Sequence, residues 1–174
     1  MTTIDFPSII FPIRKSNYRA VEDLITAKQG DIYEDILYNN YLSKSVIPFK
    51  ATEKYCELDF IGITERSNIF IELKSRNCKK DTYPNTIVGV NKIVYFDKLN
   101  TLNKDKNNRL FLIFCYDADK TDKADGNKVF YYIKYEPTLF KTFETTLIYG
   151  KKHTSIPIQY LQPIANIYDK LATY

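Results

Sequence analysis

The chain has 174 residues, 44% of them hydrophobic and 15% aromatic, which is enough for one folded domain with a sizeable core and too apolar for a disordered chain. Its 25 basic and 21 acidic residues leave a formal net charge of +4 and a pI near 8.8, a balance that permits an anionic partner without requiring one. No apolar run is long enough to span a bilayer, and the opening MTTIDFPSIIFPIRK lacks a basic segment followed by a hydrophobic one. Cys56, Cys78 and Cys115 are odd in number and irregularly spaced, against a disulfide framework or thiolate metal site. The expectation is an intracellular protein, cytoplasmic or nuclear, not secreted and without a membrane partner.

In chain order, residues 5–15 combine apolar side chains with two prolines and predict an extended arm packed on the domain. Between Asn17 and Lys44 two helical patterns stand on either side of Gly30. The first carries Tyr18, Val21, Leu24 and Ile25. The second opens at Gly30 or Asp31, with Asp31, Glu34 and Asp35 in a first turn that favours acids and an apolar stripe of Ile32, Tyr33, Ile36, Leu37 and Tyr41. Ser45 to Lys50 reads as a first strand, in which Pro48 marks an edge or a bulge.

Cys56 to Arg76 (CELDFIGITERSNIFIELKSR) is the centre of the pattern: two apolar runs flank Glu65, Arg66, Ser67 and Asn68, the signature of an antiparallel hairpin. Setting Thr64 opposite Ile69 makes paired positions sum to about 133, with Ile61 facing Glu72 and Asp59 facing Lys74. Side chains alternate along a strand, so Asp59, Glu72 and Lys74 share one face while Ile69, Ile71 and Leu73 fill the other. Two carboxylates on neighbouring strands repel unless a cation lies between them, and a hard divalent ion is held by one or two carboxylates plus waters. Chance alone predicts roughly 2.4 acid-x-Lys triplets from 21 acids and 20 lysines, yet Glu72-Leu73-Lys74 is the one such triplet in the chain and sits inside an apolar strand. The plainer alternative is a solvated face on which Asp59 and Lys74 form a cross-strand ion pair worth under about 1 kcal/mol.

An Asp on one strand followed by Glu-x-Lys on the next resembles the PD-(D/E)XK nuclease superfamily, the restriction-endonuclease-like fold. The family's proline before the aspartate is Leu58 here, a position that varies widely among its members. The resemblance implies that Asp59 and Glu72, with the Leu73 carbonyl, hold Mg²⁺ or Mn²⁺. It further implies that Lys74 positions the water that attacks a phosphodiester of DNA. Members often carry one more acid on a helix before the sheet, shortly after a glycine, and Glu34 after Gly30 matches that arrangement, with Glu22 the weaker substitute. They also often place a Lys or Gln on the following helix beside the catalytic lysine, for which Lys92 is the candidate; an exposed lysine on an amphipathic helix is the alternative.

Asn77 to Asn85 (NCKKDTYPN) is polar and turn-rich, a loop beside the expected site in which Lys79 and Lys80 are candidates to touch a phosphate backbone and Tyr83 to stack on a base; the alternative for each is a solvated loop residue. From Thr86, TIVGVNKIVYFDKLNTL reads as a helix whose stripe is Ile87, Val90, Val94 and Leu102. Arg109–Tyr116 is a continuous apolar run, as in a strand covered on both faces, and Lys128–Tyr135 a second strand. The acidic loop between them has Asp122 and Lys128 where a calcium-binding hand needs Gly and Glu, so it reads as a solvated hairpin tip. Beyond Thr138 the expectations are a strand at Thr145–Tyr149, a loop with Lys151, Lys152 and His153, and a helix from Pro163 to Leu171.

His153 is the sole histidine, too few for a zinc cluster or a His-Asn-His nuclease, and no Gly-x-Ser-x-Gly elbow or P-loop is present. Heavy use of Lys, Asn, Ile and Tyr without Trp accords with an AT-rich coding sequence, as in a virus, a phage or an AT-rich bacterium. The sequence thus predicts a single α/β domain over residues 1–174. Its restriction-endonuclease-like core, a central mixed β-sheet flanked by helices, covers about 18–135, with a C-terminal appendage over 136–174. The expected activity is Mg²⁺-dependent endonucleolytic hydrolysis of DNA; the alternative is a non-catalytic nucleic-acid-binding or interaction module on the same fold. A homodimer is left open.

Overall fold

The computed structural model describes residues 24–52, 56–119 and 127–172. The expected arm at 5–15, the cap and first residues of the first helical pattern, Glu22 and most of the acidic hairpin tip lie outside the described residues.

A six-stranded mixed sheet runs in the order β1 (Phe49–Ala51), β2 (Phe60–Ile63), β3 (Ser67–Ser75), β5 (Asn107–Asp117), β6 (Lys128–Lys134), β9 (Gln162–Pro163). Only β3 and β5 are parallel; the other neighbours are antiparallel. A parallel pair needs a crossover, here β4 (Asn85–Gly89) and helix α2 (Val90–Leu102). β4 belongs to a second, three-stranded sheet with β8 (Lys151–Pro157) and β7 (Thr145–Ile148).

The central strands read as unbroken apolar runs because both faces are covered. Ile69, Ile71 and Leu73 of β3 and Phe111, Ile113 and Cys115 of β5 pack with Leu37 of α1 (Leu24–Asn40) and with Ile167 and Leu171 of α4 (Ile167–Ala172). On the opposite face, Phe70, Leu110, Leu112 and Phe114 meet Tyr95, Phe96 and Leu99 of α2, Phe140 of α3 (Pro137–Phe140), and Val88 and Ile156 of the small sheet. Glu72 and Lys74 belong by alternation to this second face, one of them fully enclosed.

Several expectations change. Gly30 does not divide two helices: α1 runs through it, since one glycine in a helix costs only about 1 kcal/mol and packing of Leu37 against the sheet outweighs that. Asp31, Glu34 and Asp35 therefore sit mid-helix, not in a first turn, and Ile32 of the expected apolar stripe is exposed. Of the strand expected at Ser45–Lys50 only Phe49 and Lys50 are extended, in β1 at the sheet edge that Pro48 indicated. Leu42–Lys44 forms a 3-10 turn, Ser45 Oγ accepts from Ile47 N–H at 3.1 Å, and the edge strand begins only after Pro48. The hairpin register sums to 131, not 133, with Ile61 facing Phe70 and Gly62 facing Ile69, because Thr64 N–H bonds Ser67 O at 2.9 Å and tightens the turn. Thr86–Val88, expected as helix, is β4: its β-branched residues pair with Ile156–Thr154, and α2 starts only at Val90. The buried residues of α2 are accordingly Tyr95, Phe96 and Leu99, while Val94 and Leu102 are exposed. Lys151–His153, expected as loop, opens β8, and the helix expected from Pro163 is a 3-10 turn at Ile164–Asn166 followed by α4.

Candidate active site

Asp59 lies in a bend just before β2, not inside the strand, and its backbone is held on both sides. Its N–H donates to Ile71 O at 2.9 Å and its carbonyl accepts from Thr52 N–H at 2.9 Å. The side chain turns onto β3, where Oδ2 accepts from Leu73 N–H at 2.7 Å. Leu73 thus enters the site through its N–H, while its side chain is core on the far face.

Glu72 is 1% exposed. Its Oε1 lies 2.6 Å from Lys74 Nζ and 3.1 Å from Lys92 Nζ, while Oε2 has no hydrogen-bond partner among the described residues. A buried carboxylate short of partners is strongly disfavoured, and here two ammoniums compensate one oxygen only. Lys92 reaches the site from the first turn of α2. Its Nζ also donates to Glu57 O and stands 3.8 Å from Glu57 Oε2, and the neighbouring Asn91 Nδ2 donates to the same Oε2 at 2.8 Å. The Lys92 side chain is 14% exposed and the Lys74 side chain 32%, so Lys74 is the ammonium that faces solvent and Lys92 the one that backs Glu72 from inside.

The acids outnumber the bases. Glu34, half-buried on α1, is close enough for Glu72 and Lys74 to act on its carboxyl; burial raises its pKa, with Asp31, Glu72 and Asp35 raising it further and Lys74 opposing. Asp59 is pushed up to about 8, first by burial and then by the charge of Glu72; the Leu73 N–H opposes the shift, Glu34 adds to it, and Lys92 opposes it. Acid side chains therefore crowd this site. Its oxygen donors are hard carboxylates, which fits Mg²⁺ or Mn²⁺ and not a softer metal. Among the described residues no group of three or more His, Cys, Asp or Glu side chains is arranged to hold a metal, so waters would have to complete the shell of any ion at Asp59 and Glu72.

Asp59, Glu72, Lys74 and Lys92 are thus brought together, with Glu34 close by. Lys79 and Lys80 are not part of that cluster. Lys79 pairs with Asp119, and Lys80 lies 3.8 Å from Asp81 and 4.8 Å above the Tyr131 ring. Lys92, expected on the helix beside Lys74 and also named with Lys79 and Lys80 as a nucleic-acid contact, shares the Glu72 oxygen with Lys74 and is enclosed between Glu57 and Glu72. Glu57 was not foreseen. Its contact with α2 spans 35 residues of sequence, and nothing in CELD sets Glu57 apart from a solvated acid.

No protein-family model and no curated protein matches the chain. Among solved structures, the chain is similar to a nuclease from a fusselovirus at 13% identity and a TM-score of 0.42, over 89% of this chain and 95% of that one. Similarity at this level leaves the functional reading to the residues. No helix among the described residues is long and apolar enough to cross a membrane.

Proposed function

We propose that the chain is a Mg²⁺- or Mn²⁺-dependent endonuclease that hydrolyses phosphodiester bonds of DNA, of the PD-(D/E)XK type. The observation that carries this reading is Glu72: an enclosed carboxylate with one oxygen on two ammoniums, the other without a partner, beside an Asp59 whose proton is held up to about pH 8. Asp59, Glu72 and the Leu73 carbonyl would hold the cation. When bound, the ion supplies charge neutralisation on the phosphate and acidifies water.

The protein's own groups do the rest. Lys92 and Glu57 fix Glu72 from behind, so its carboxylate is oriented before substrate arrives. Lys74, the solvent-facing ammonium, orients the attacking water and stabilises charge that builds on the phosphate oxygens. Glu34, its carboxyl raised toward neutrality, accepts the proton that water loses. The water oxygen bonds to phosphorus, one P–O ester bond breaks, and the departing alkoxide takes a proton from solvent.

One observation favours the non-catalytic module: Glu72 already has two ammonium partners and no third metal-ligating side chain joins the pair. Incubation with linear, supercoiled circular and four-way-junction DNA, with and without Mg²⁺ or Mn²⁺, separates the readings. Nicked circles that require the cation support the endonuclease, and retention of DNA without any cutting favours the module.

A further inference from the structure

The β7–β8 hairpin closes on a two-residue turn. That turn places Tyr149 at φ 47 and Gly150 at φ 73, the left-handed pair that a tight hairpin demands. Asn, Asp or Gly normally fills the first of these positions; a bulky aromatic there is strained. Tyr149 is also 100% exposed, so no packing within the described residues offsets that strain.

The hairpin overhangs the body. His153 pairs with Gly89, the last residue of β4, so Lys152, Lys151 and the turn continue beyond the sheet by roughly 10 Å at the usual rise per residue. The face that is buried at Ile156 and Thr154 emerges into solvent at Lys152 and its partner Leu147, which is 70% exposed. Gly89 leads directly into α2, so the overhang stands on the side where Asn91 and Lys92 reach Glu57 and Glu72. From Thr145 to Pro157 there is no acidic residue, and neither Lys151 nor Lys152 has an ion-pair partner among the described residues.

We infer that this hairpin is the nucleic-acid-holding element beside the candidate active site, with Lys151 and Lys152 meeting backbone phosphates from the two faces of the ribbon and the Tyr149 ring stacked on an unpaired base. The substrate class is then DNA with exposed bases: a single strand, a flap or a junction. An aromatic platform flanked by cations suits such strands, because every base has a stacking face while the charge follows the backbone. The inference rests on the reading of the chain as a DNA-cleaving enzyme and adds where and on what it grips.

The test uses the full chain in EDTA, where cutting is stopped, with labelled oligonucleotides (single-stranded, blunt duplex and flapped) and anisotropy over a range of salt. Tyr149→Asn keeps a residue suited to the turn and removes the ring; it is expected to weaken single-strand and flap binding about 10-fold or more, with blunt duplex little affected. Lys151→Gln/Lys152→Gln is expected to lower the single-strand salt slope by about 1.4. Wild-type affinity for all three probes in both variants overturns the inference, as does wild-type protein that binds none of them. Variants that change the sedimentation of the free protein and not its DNA affinity assign the hairpin to self-association and likewise overturn it. Hairpin-dependent binding by a wild-type protein that never cuts removes the enzyme reading alone, while cutting with unaltered binding in the variants removes the hairpin alone.

Discussion

Two ion clusters lie at the ends of the central strands, and they differ in whether their charges close. Asp117 and Lys128 face each other across β5 and β6, Lys128 Nζ stands 2.5 Å from Asp117 Oδ1, and the Lys128 side chain is only 8% exposed. Burial lowers the pKa of Lys128, but the hydrogen bond to Asp117 and the neighbouring Tyr33 raise it more, so the net shift is upward. Lys128 also lies 4.8 Å from the Tyr33 ring centroid, tying α1 to the sheet. One acid meets one base, and the pair is a structural tie. At Asp59, Glu72, Lys74 and Lys92 the same residue types leave an enclosed oxygen without a partner and a carboxyl pushed up to about 8. A cross-strand pair that exists to hold strands together looks like the former; the latter leaves a carboxylate oxygen enclosed and unpaired beside a carboxyl that burial keeps protonated.

The largest expected contrast comes from Asp59→Asn. Cleavage is expected to fall by at least about 100-fold, since a cation ligand is lost. The cation-free protein should nevertheless become more stable at pH 8, because the amide still accepts from Leu73 N–H and no longer repels Glu72. The sign follows from the shift: between the ordinary 3.8 and about 8 the folded protein holds a proton that the unfolded chain has released, so wild-type stability falls as pH rises through that window. Melting temperatures in EDTA from pH 4 to 9 check both points; a variant no more stable than wild type at pH 8 breaks the contrast. A second effect is on cation affinity. Mg²⁺ must displace the Asp59 proton, so the Mg²⁺ concentration for half-maximal cleavage should drop about tenfold per pH unit below 8 and level off above it. A flat midpoint from pH 6 to 9 contradicts this.

Lys128→Ala should show the opposite profile to the site variants. Loss of the tie is expected to cost about 1–2 kcal/mol, read by urea denaturation, while single-turnover cleavage at saturating Mg²⁺ changes less than about threefold. The smallest effect concerns the loop after β3. Because Lys79 and Lys80 have partners within the chain, Lys79→Ala/Lys80→Ala should flatten the salt dependence of DNA binding less than the Lys151/Lys152 pair does. An equal or larger loss of slope would return this loop to the interface.

The face shared by Asp59, Glu72 and Lys74 was legible in sequence despite a register wrong by two residues, because an even slip leaves every side chain on its own face. The central sheet was legible for a similar reason: strands covered on both sides, such as RLFLIFCY, are continuous apolar runs whatever their neighbours. What escaped depends on distant partners. Thr86–Val88 has strand-forming residues, but its partner lies nearly seventy positions later in β8, and a local helical spacing concealed it. Glu57 acquires meaning only when α2 brings Asn91 and Lys92 to it. Lys79-Lys80 with Tyr83 and Lys151-Lys152 with Tyr149 are nearly the same words in sequence; folding gives the first pair partners and projects the second.

The central claim is that Lys74 and the two carboxylates form a hydrolytic site and not a structural pair, and single-turnover cleavage of labelled DNA at saturating Mg²⁺ by wild type and Lys74→Ala tests it most directly. The account predicts Mg²⁺-dependent cutting by wild type, none in EDTA, and a rate at least about 100-fold lower in a Lys74→Ala protein with unchanged circular dichroism and DNA affinity. A folded Lys74→Ala protein that cuts at the wild-type rate, or a wild type that binds DNA and cuts no substrate, would contradict it.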